Sequence, residues 1–222
     1  MMAAPSPSFV CDQTSIGPVE RFSPLVLYNE QKNAACHARA FRGDTTAMNR
    51  VAASAIIGAV EEHLAHNGAA LDGDSAPLYA AALWYAHSAA RGNVEALFNL
   101  GSLYKGGLGV APNRDIALQC FEDAARKGHV PSMYHAGEML MAHRSPMADE
   151  AARAIAHWER AASMGHARAQ HNYAVLLWTG VPGVLAQNGA RALVFGLSSA
   201  AQDVPPAAQW LQHVDMTYMD SE

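Results

Sequence analysis

What most limits how this chain can fold is a unit that returns at near-constant spacing. Gly92, Gly128 and Gly165 lie 36 and 37 residues apart, and a further 37 residues reach Gln202. Seven residues before each endpoint stands an aromatic side chain, Tyr85, Phe121, Trp158 and Phe195 in turn. Small residues precede the same endpoints as Ser88 and Ala89, Ala124 and Ala125, Ala161 and Ala162, and Ser198 and Ser199. Nine residues after each glycine comes Gly101, Gly137 or Ala174, and twelve after it Tyr104, Leu140 or Leu177. A small residue lets two helices approach closely, while an aromatic column drives one large side chain per copy into the layer below.

The clearest copy occupies residues 94–128. Residues 95–105 place apolar groups at Ala96, Leu97, Leu100, Leu103 and Tyr104, and residues 115–126 place them at Ala117, Leu118, Phe121, Ala124 and Ala125. Both spacings have the helical period and lack strand alternation. Between them KGGLGVAPN gathers three glycines and a proline, a turn signal, and Asp115 stands where a side-chain oxygen caps the second helix. An all-α solenoid of antiparallel helix pairs is the architecture these columns predict.

The residues from Ala96 to Gly128, with LG at 100–101, LY at 103–104, GG at 106–107, GV at 109–110, Asp115, Phe121 and AA at 124–125, resemble the Sel-1-like repeat, a longer-period relative of the tetratricopeptide repeat. Copies at 132–165 and 169–202 follow the pattern well, and residues 77–92 supply half a copy. The third copy replaces the glycine-rich loop by HRSPMADE, and the fourth carries VPGVLAQNGA and no terminal glycine. The resemblance implies a right-handed α/α solenoid. It also implies a non-enzymatic adaptor of the kind used in assembly, signalling, protein quality control and bacterial host interaction.

In chain order, residues 1–24 carry Pro5, Pro7, Pro18 and Pro24 among serines and are expected to be disordered. Residues 25–76 read as a degenerate helix pair, 25–41 and 45–66, followed by the linker NGAALDGDSAP. Thr45 or Thr46 is the expected cap. Ala47, Ala52 and Ala55 fall four, nine and twelve residues after Gly43, the offsets of the clear repeats. Repeats fill 77–203. Residues 204–222 form a C-terminal capping helix, with a proline pair in its first turn, Trp210, Leu211 and Val214 on one face, and a frayed tail.

A net charge of −5 with scattered basic residues gives no electrostatic footprint for nucleic acid. Cys11, Cys36 and Cys120 are odd in number and hold no repeating position, which points to reduced thiols in the cytoplasm. The beginning of the chain lacks the charged and apolar regions of a signal peptide, and Val10-Cys11 makes no lipidation box. The longest apolar stretch, residues 51–60, is too short for a membrane span. Arginine outnumbers lysine twelve to three, a composition that suits a GC-rich bacterial genome.

Catalytic and metal motifs are weak. Ser102 and Lys105 spell S-x-x-K, the signature of penicillin-recognising serine hydrolases. A cysteine-rich secreted branch of Sel-1-like proteins has been linked with penicillin binding. No S-D-N or K-T-G follows here, the paired cysteines of that branch are missing, and the repeat itself supplies these four residues. Glu62, His63 and His66 share part of a helix face without H-E-x-x-H or C-x-x-C, so no metal or other cofactor is expected. GGLG at 106–109 lacks the strand before and the G-K-[ST] after that a phosphate loop needs.

What remains is the concave face lined by first helices. Positions six, seven, ten and thirteen after each glycine are Phe98, Asn99, Ser102 and Lys105; Tyr134, His135, Glu138 and Met141; and His171, Asn172, Val175 and Trp178. Amides such as Asn99 and Asn172 suit the backbone of an extended peptide, and Phe98, Tyr134 and Trp178 suit its side chains. The competing role for these aromatics is packing between repeats. The expected function is therefore a protein or peptide interaction module, with a serine hydrolase using Ser102 and Lys105, or a homodimeric scaffold, as alternatives.

Overall fold

The computed structural model describes residues 30–65, 76–142 and 147–219. The 1–24 segment with Cys11, the linker stretch 67–75, residues 143–146 of the third-copy loop, the side chains of Glu62, His63 and His66, and the tail at 220–222 lie outside the described residues. Ten α-helices and no strand are present among the described residues. They are α1 (Glu30–Phe41), α2 (Thr45–Ala65), α3 (Ala76–Ala90), α4 (Val94–Gly106), α5 (Arg114–Arg126), α6 (Val130–Met141), α7 (Ala148–Ser163), α8 (Ala167–Thr179), α9 (Gly189–Ala200) and α10 (Pro205–Met219). An isolated bridge, Val181 to Leu185, closes the loop between α8 and α9.

The chain divides into two compact units inside α5, between Cys120 and Phe121. In the first, α1 to α4 pack each on the next; in the second, α6 to α10 do the same. Each unit is thus a short α/α solenoid of helix pairs. The first is built around Met48, Trp84, Leu100 and Leu103. The second is built around Met133, Trp158, Tyr173 and Leu177.

Every pair begins and ends in the same way. Gly43, Gly92, Gly128 and Gly165 have φ of 97°, 85°, 91° and 86°, the left-handed region that glycine enters without a Cβ clash. The residue after each glycine sends its N–H five residues back, as Asp44 to Arg39, Asn93 to Ser88, His129 to Ala124 and His166 to Ala161, at 3.0–3.2 Å. In three of the four places that same residue caps the next helix with its side chain, whereas His129 Nδ1 pairs with Ser132 Oγ at 2.8 Å. Asp44 accepts from Ala47 N–H (3.0 Å), Asn93 from Ala96 N–H (2.9 Å) and His166 Nδ1 from Ala169 N–H (3.2 Å). The expected caps Thr45, Thr46 and Asp115 are corrected accordingly. Asp44 caps α2, and α5 starts at Arg114 with Asn113 accepting from Asp115 and Ile116 N–H. In both places a side chain one or two residues earlier already supplies the acceptor.

The fourth endpoint also moves by one residue. Asp203, at φ 56°, is the left-handed residue that closes α9, and its N–H bonds Ala200 O at 3.1 Å as the glycines bond theirs. Gln202 was the expected endpoint. With the register corrected, the residue four past each endpoint is Ala47, Ala96, Ser132, Ala169 and Ala207, all buried. The aromatic column then holds for Tyr85, Phe121 and Trp158, all buried, but its fourth member is Gly196; Phe195 is half-buried, edge-on to Tyr173 at 5.2 Å. A Cβ on Gly196 would stand 2.3 Å from the Trp210 ring, so α10 supplies the aromatic that α9 lacks.

The corrected register also pairs α2 with α3. Ser88 Oγ donates to Thr45 O (3.2 Å), as Ser199 Oγ donates to Ala167 O (2.7 Å). In each case the serine lies four residues before its endpoint, and the carbonyl two residues after the previous one. Residues 66–75 therefore connect the two helices of one pair, which spans 49 residues between Gly43 and Gly92 in place of 36 to 38.

Candidate partner-binding site

Of the twelve positions singled out on first helices, four lie on α4 in the first unit. Phe98, Asn99 and Ser102 are half-buried and Lys105 is exposed. The Ser102 hydroxyl donates to Phe98 O, four residues back, at 3.0 Å. Its proton is committed to its own helix, an ordinary fate for a helical serine.

The other eight lie on α6 and α8 in the second unit. Tyr134 is 8% exposed and belongs to the core through its ring, while its hydroxyl donates to Glu138 Oε1 at 2.7 Å. Glu138 Oε2 lies 2.8 Å from His135 Nδ1, so both oxygens of this carboxylate are engaged. Burial, reinforced by the Glu138 carboxylate, pushes the Tyr134 phenol up to about 12. The Tyr134 ring stacks on His166 at 4.8 Å and meets His135 edge-on at 5.2 Å. Met141 and Trp178 pack against the core, the latter edge-on to Trp210 at 6.1 Å. Asn172, Val175 and His171 are half-buried on α8.

A cavity of about 650 Å³ opens in this unit. Tyr134 and His135 border it from α6, and His166, Arg168 and His171 from the start of α8. The turn from α9 into α10 closes it with Gln202, Asp203 and Pro205. Three of the expected residues thus meet at one concavity. His166, Arg168, Gln202 and Asp203 join them from cap and turn positions that counting along first helices did not include. The cap column Asp44, Asn93, His129, His166 was nevertheless readable one residue after each glycine.

The walls of the cavity are held by polar contacts. Gln202 Nε2 donates to Gln170 Oε1 (2.8 Å), and Gln170 Nε2 donates to Ala162 O (3.2 Å), tying the turn after α9 to α8 and α7. Because His166 Nδ1 accepts a backbone N–H, the ring's proton resides on Nε2. Burial, followed by the neighbouring His135 and Arg168, lowers the pKa of His166, with Glu138 opposing. Burial alone lowers that of His171, whose Nδ1 is shut off from solvent without a hydrogen-bond partner. Among the described residues no group of three or more histidine, cysteine or acidic side chains can hold a metal ion, and no helix is long and apolar enough to cross a membrane.

Paired antiparallel helices with left-handed turns at fixed intervals define a helical-repeat protein. The family model of the Sel1 repeat matches residues 94–129, 131–166 and 167–204, and the chain belongs to the Sel1 repeat family. Each matched repeat ends one residue past Gly128, Gly165 or Asp203, in agreement with the corrected register. Among solved structures, a Sel1 repeat protein from Oxalobacter formigenes is similar, with 20% identity, a TM-score of 0.57, and coverage of 87% of this chain and 74% of that one. A protective antigen of uropathogenic Escherichia coli that displays an SLR fold matches with 20% identity and a TM-score of 0.45 over 82% of this chain and 44% of its own. No curated protein matches the chain.

Proposed function

We propose that this protein is a non-enzymatic interaction module of the bacterial cytoplasm that holds a protein or peptide partner along the open face of its first helices. The partner would lie over Phe98, Asn99, Ser102 and Lys105 on α4. On α6 and α8 it would lie over Tyr134, His135, Glu138, Met141, His171, Asn172, Val175 and Trp178. The observation that carries this reading is the cavity bordered by Tyr134, His135 and His171, because a concavity with convergent polar groups beside stacked rings is what a docking side chain needs.

The test uses residues that can change without opening the core. Tyr134 and Trp178 are unsuitable, since their rings pack against His166 and Trp210. Asn172→Glu with Val175→Glu places two charges on the half-buried face of α8. Affinity capture from native extract is expected to recover a partner with the wild type and lose it with the double variant, both giving the same helical circular dichroism. Recovery of the same partners by both proteins would remove α8 from the site.

A further inference from the structure

Within the interaction reading, on which this inference rests, we propose that the cavity receives a carboxylate carried by the bound peptide, either an Asp or Glu side chain or a free C-terminus. Two side chains at its border present donors to an incoming anion. His166 keeps its proton on Nε2 because Nδ1 is occupied as the cap of α8. Arg168 is exposed, and its guanidinium lies close enough to act on both the Tyr134 hydroxyl and His166. The first turn of α8 adds the positive end of its dipole on the same side.

Glu138 has Tyr134 on one oxygen and His135 on the other, and so fixes the orientation of both rings, while the Arg168 guanidinium sits against the Tyr134 hydroxyl at the cavity border. Asp203 is the opposing charge. It is exposed, and solvent and salt screen it. A carboxylate therefore gains a guanidinium and an imidazole N–H against the screened charge of Asp203 and that of Glu138, whose two oxygens are already held by Tyr134 and His135. The cavity, about 650 Å³, has room for a side chain together with its flanking backbone.

The full chain is titrated, by fluorescence anisotropy at about pH 7.5, with labelled hexapeptide libraries in three arms. One arm contains glutamate and an amidated C-terminus, one is neutral with a free C-terminus, and one is neutral and amidated. Peptides from at least one carboxylate arm are expected to bind, and the responding arm identifies the source of the carboxylate. Arg168→Gln should weaken that binding on the order of 10-fold, the loss of one charge-assisted contact, with partial recovery in Arg168→Lys. Asp203→Asn keeps a residue that tolerates the left-handed conformation and should tighten it. Neutral amidated peptides that bind as well, or variants that leave affinity unchanged, would overturn the carboxylate site and leave the interaction face standing. Binding in no arm would overturn both.

Discussion

Gly109 and Gly165 both have positive φ, and the space around them separates two costs of adding one methyl group. A Cβ on Gly165 meets nothing within 4 Å, so Gly165→Ala bears only the left-handed penalty, about 1 kcal/mol. A Cβ on Gly109, at φ 71°, would stand 2.2 Å from the backbone carbon of Leu78. Gly109→Ala is therefore expected to lose a further 1–3 kcal/mol, roughly, because backbone has to move. Urea midpoints for the two variants measure the difference. Gly165 was legible in the sequence because a left-handed close leaves a glycine at constant spacing. Asp203 was not, since it fills the same conformation with a side chain and comes one residue late. The caps were misassigned for a related reason: Asp44 and Asn113 stand next to Thr45 and close to Asp115, and only hydrogen-bond geometry chooses between neighbouring acceptors.

At the level of elements, α10 and α9 depend on one substitution of roles. Trp210 fills the space that Gly196 leaves, so Gly196→Ala and Trp210→Ala should each destabilise, by about 1–3 and about 3 kcal/mol. The double variant should lose less than the sum, because the added methyl group no longer meets the indole. A double-mutant cycle by chemical denaturation reads that coupling directly. Helix existence was read well from the sequence: α4 and α5 match the expected pair to within a residue at each end, and Pro205 does open α10. Pairing was harder. The composition of 67–77 looked like a break between domains, yet the Ser88 to Thr45 bond joins the helices on either side of it. Loop composition records where the backbone turns and carries no information about which helices then pack. The cavity was half legible for a similar reason. Tyr134, His135 and His171 follow from first-helix spacing, whereas His166 and Asp203 arrive from a cap and a turn, and Arg168 from the first turn of α8 at a position the spacing did not include.

For the molecule as a whole, acid should act in two stages. His87, His166 and His171 all have pKa values lowered from the ordinary 6.5, chiefly by burial. The unfolded chain then binds more protons than the folded one, so their contribution is complete above about 6.5 and falls away as pH drops toward the folded values. A second loss follows below about pH 4. Asp44 is lowered by Ala47 N–H and Arg39, and Glu159 by Arg191 and Tyr173. Glu122 is raised by burial but lowered on balance by His157 and Arg153. Asp123, raised by burial, works in the opposite direction. Thermal unfolding followed from about pH 8 down to 4 should show both steps, and His166→Asn, which retains a cap without a titrating ring, should reduce the first. The histidine cap has a consequence on the clock of amide exchange as well. Where Asp44 and Asn93 hold their helices with oxygen, α8 is held by a nitrogen lone pair that a single proton removes. In mildly acidic deuterated buffer the Ala169 amide should begin to exchange, after correction for intrinsic rates, while those of Ala47 and Ala96 stay protected. The molecule thereby carries in the first turn of α8 its own local record of proton uptake.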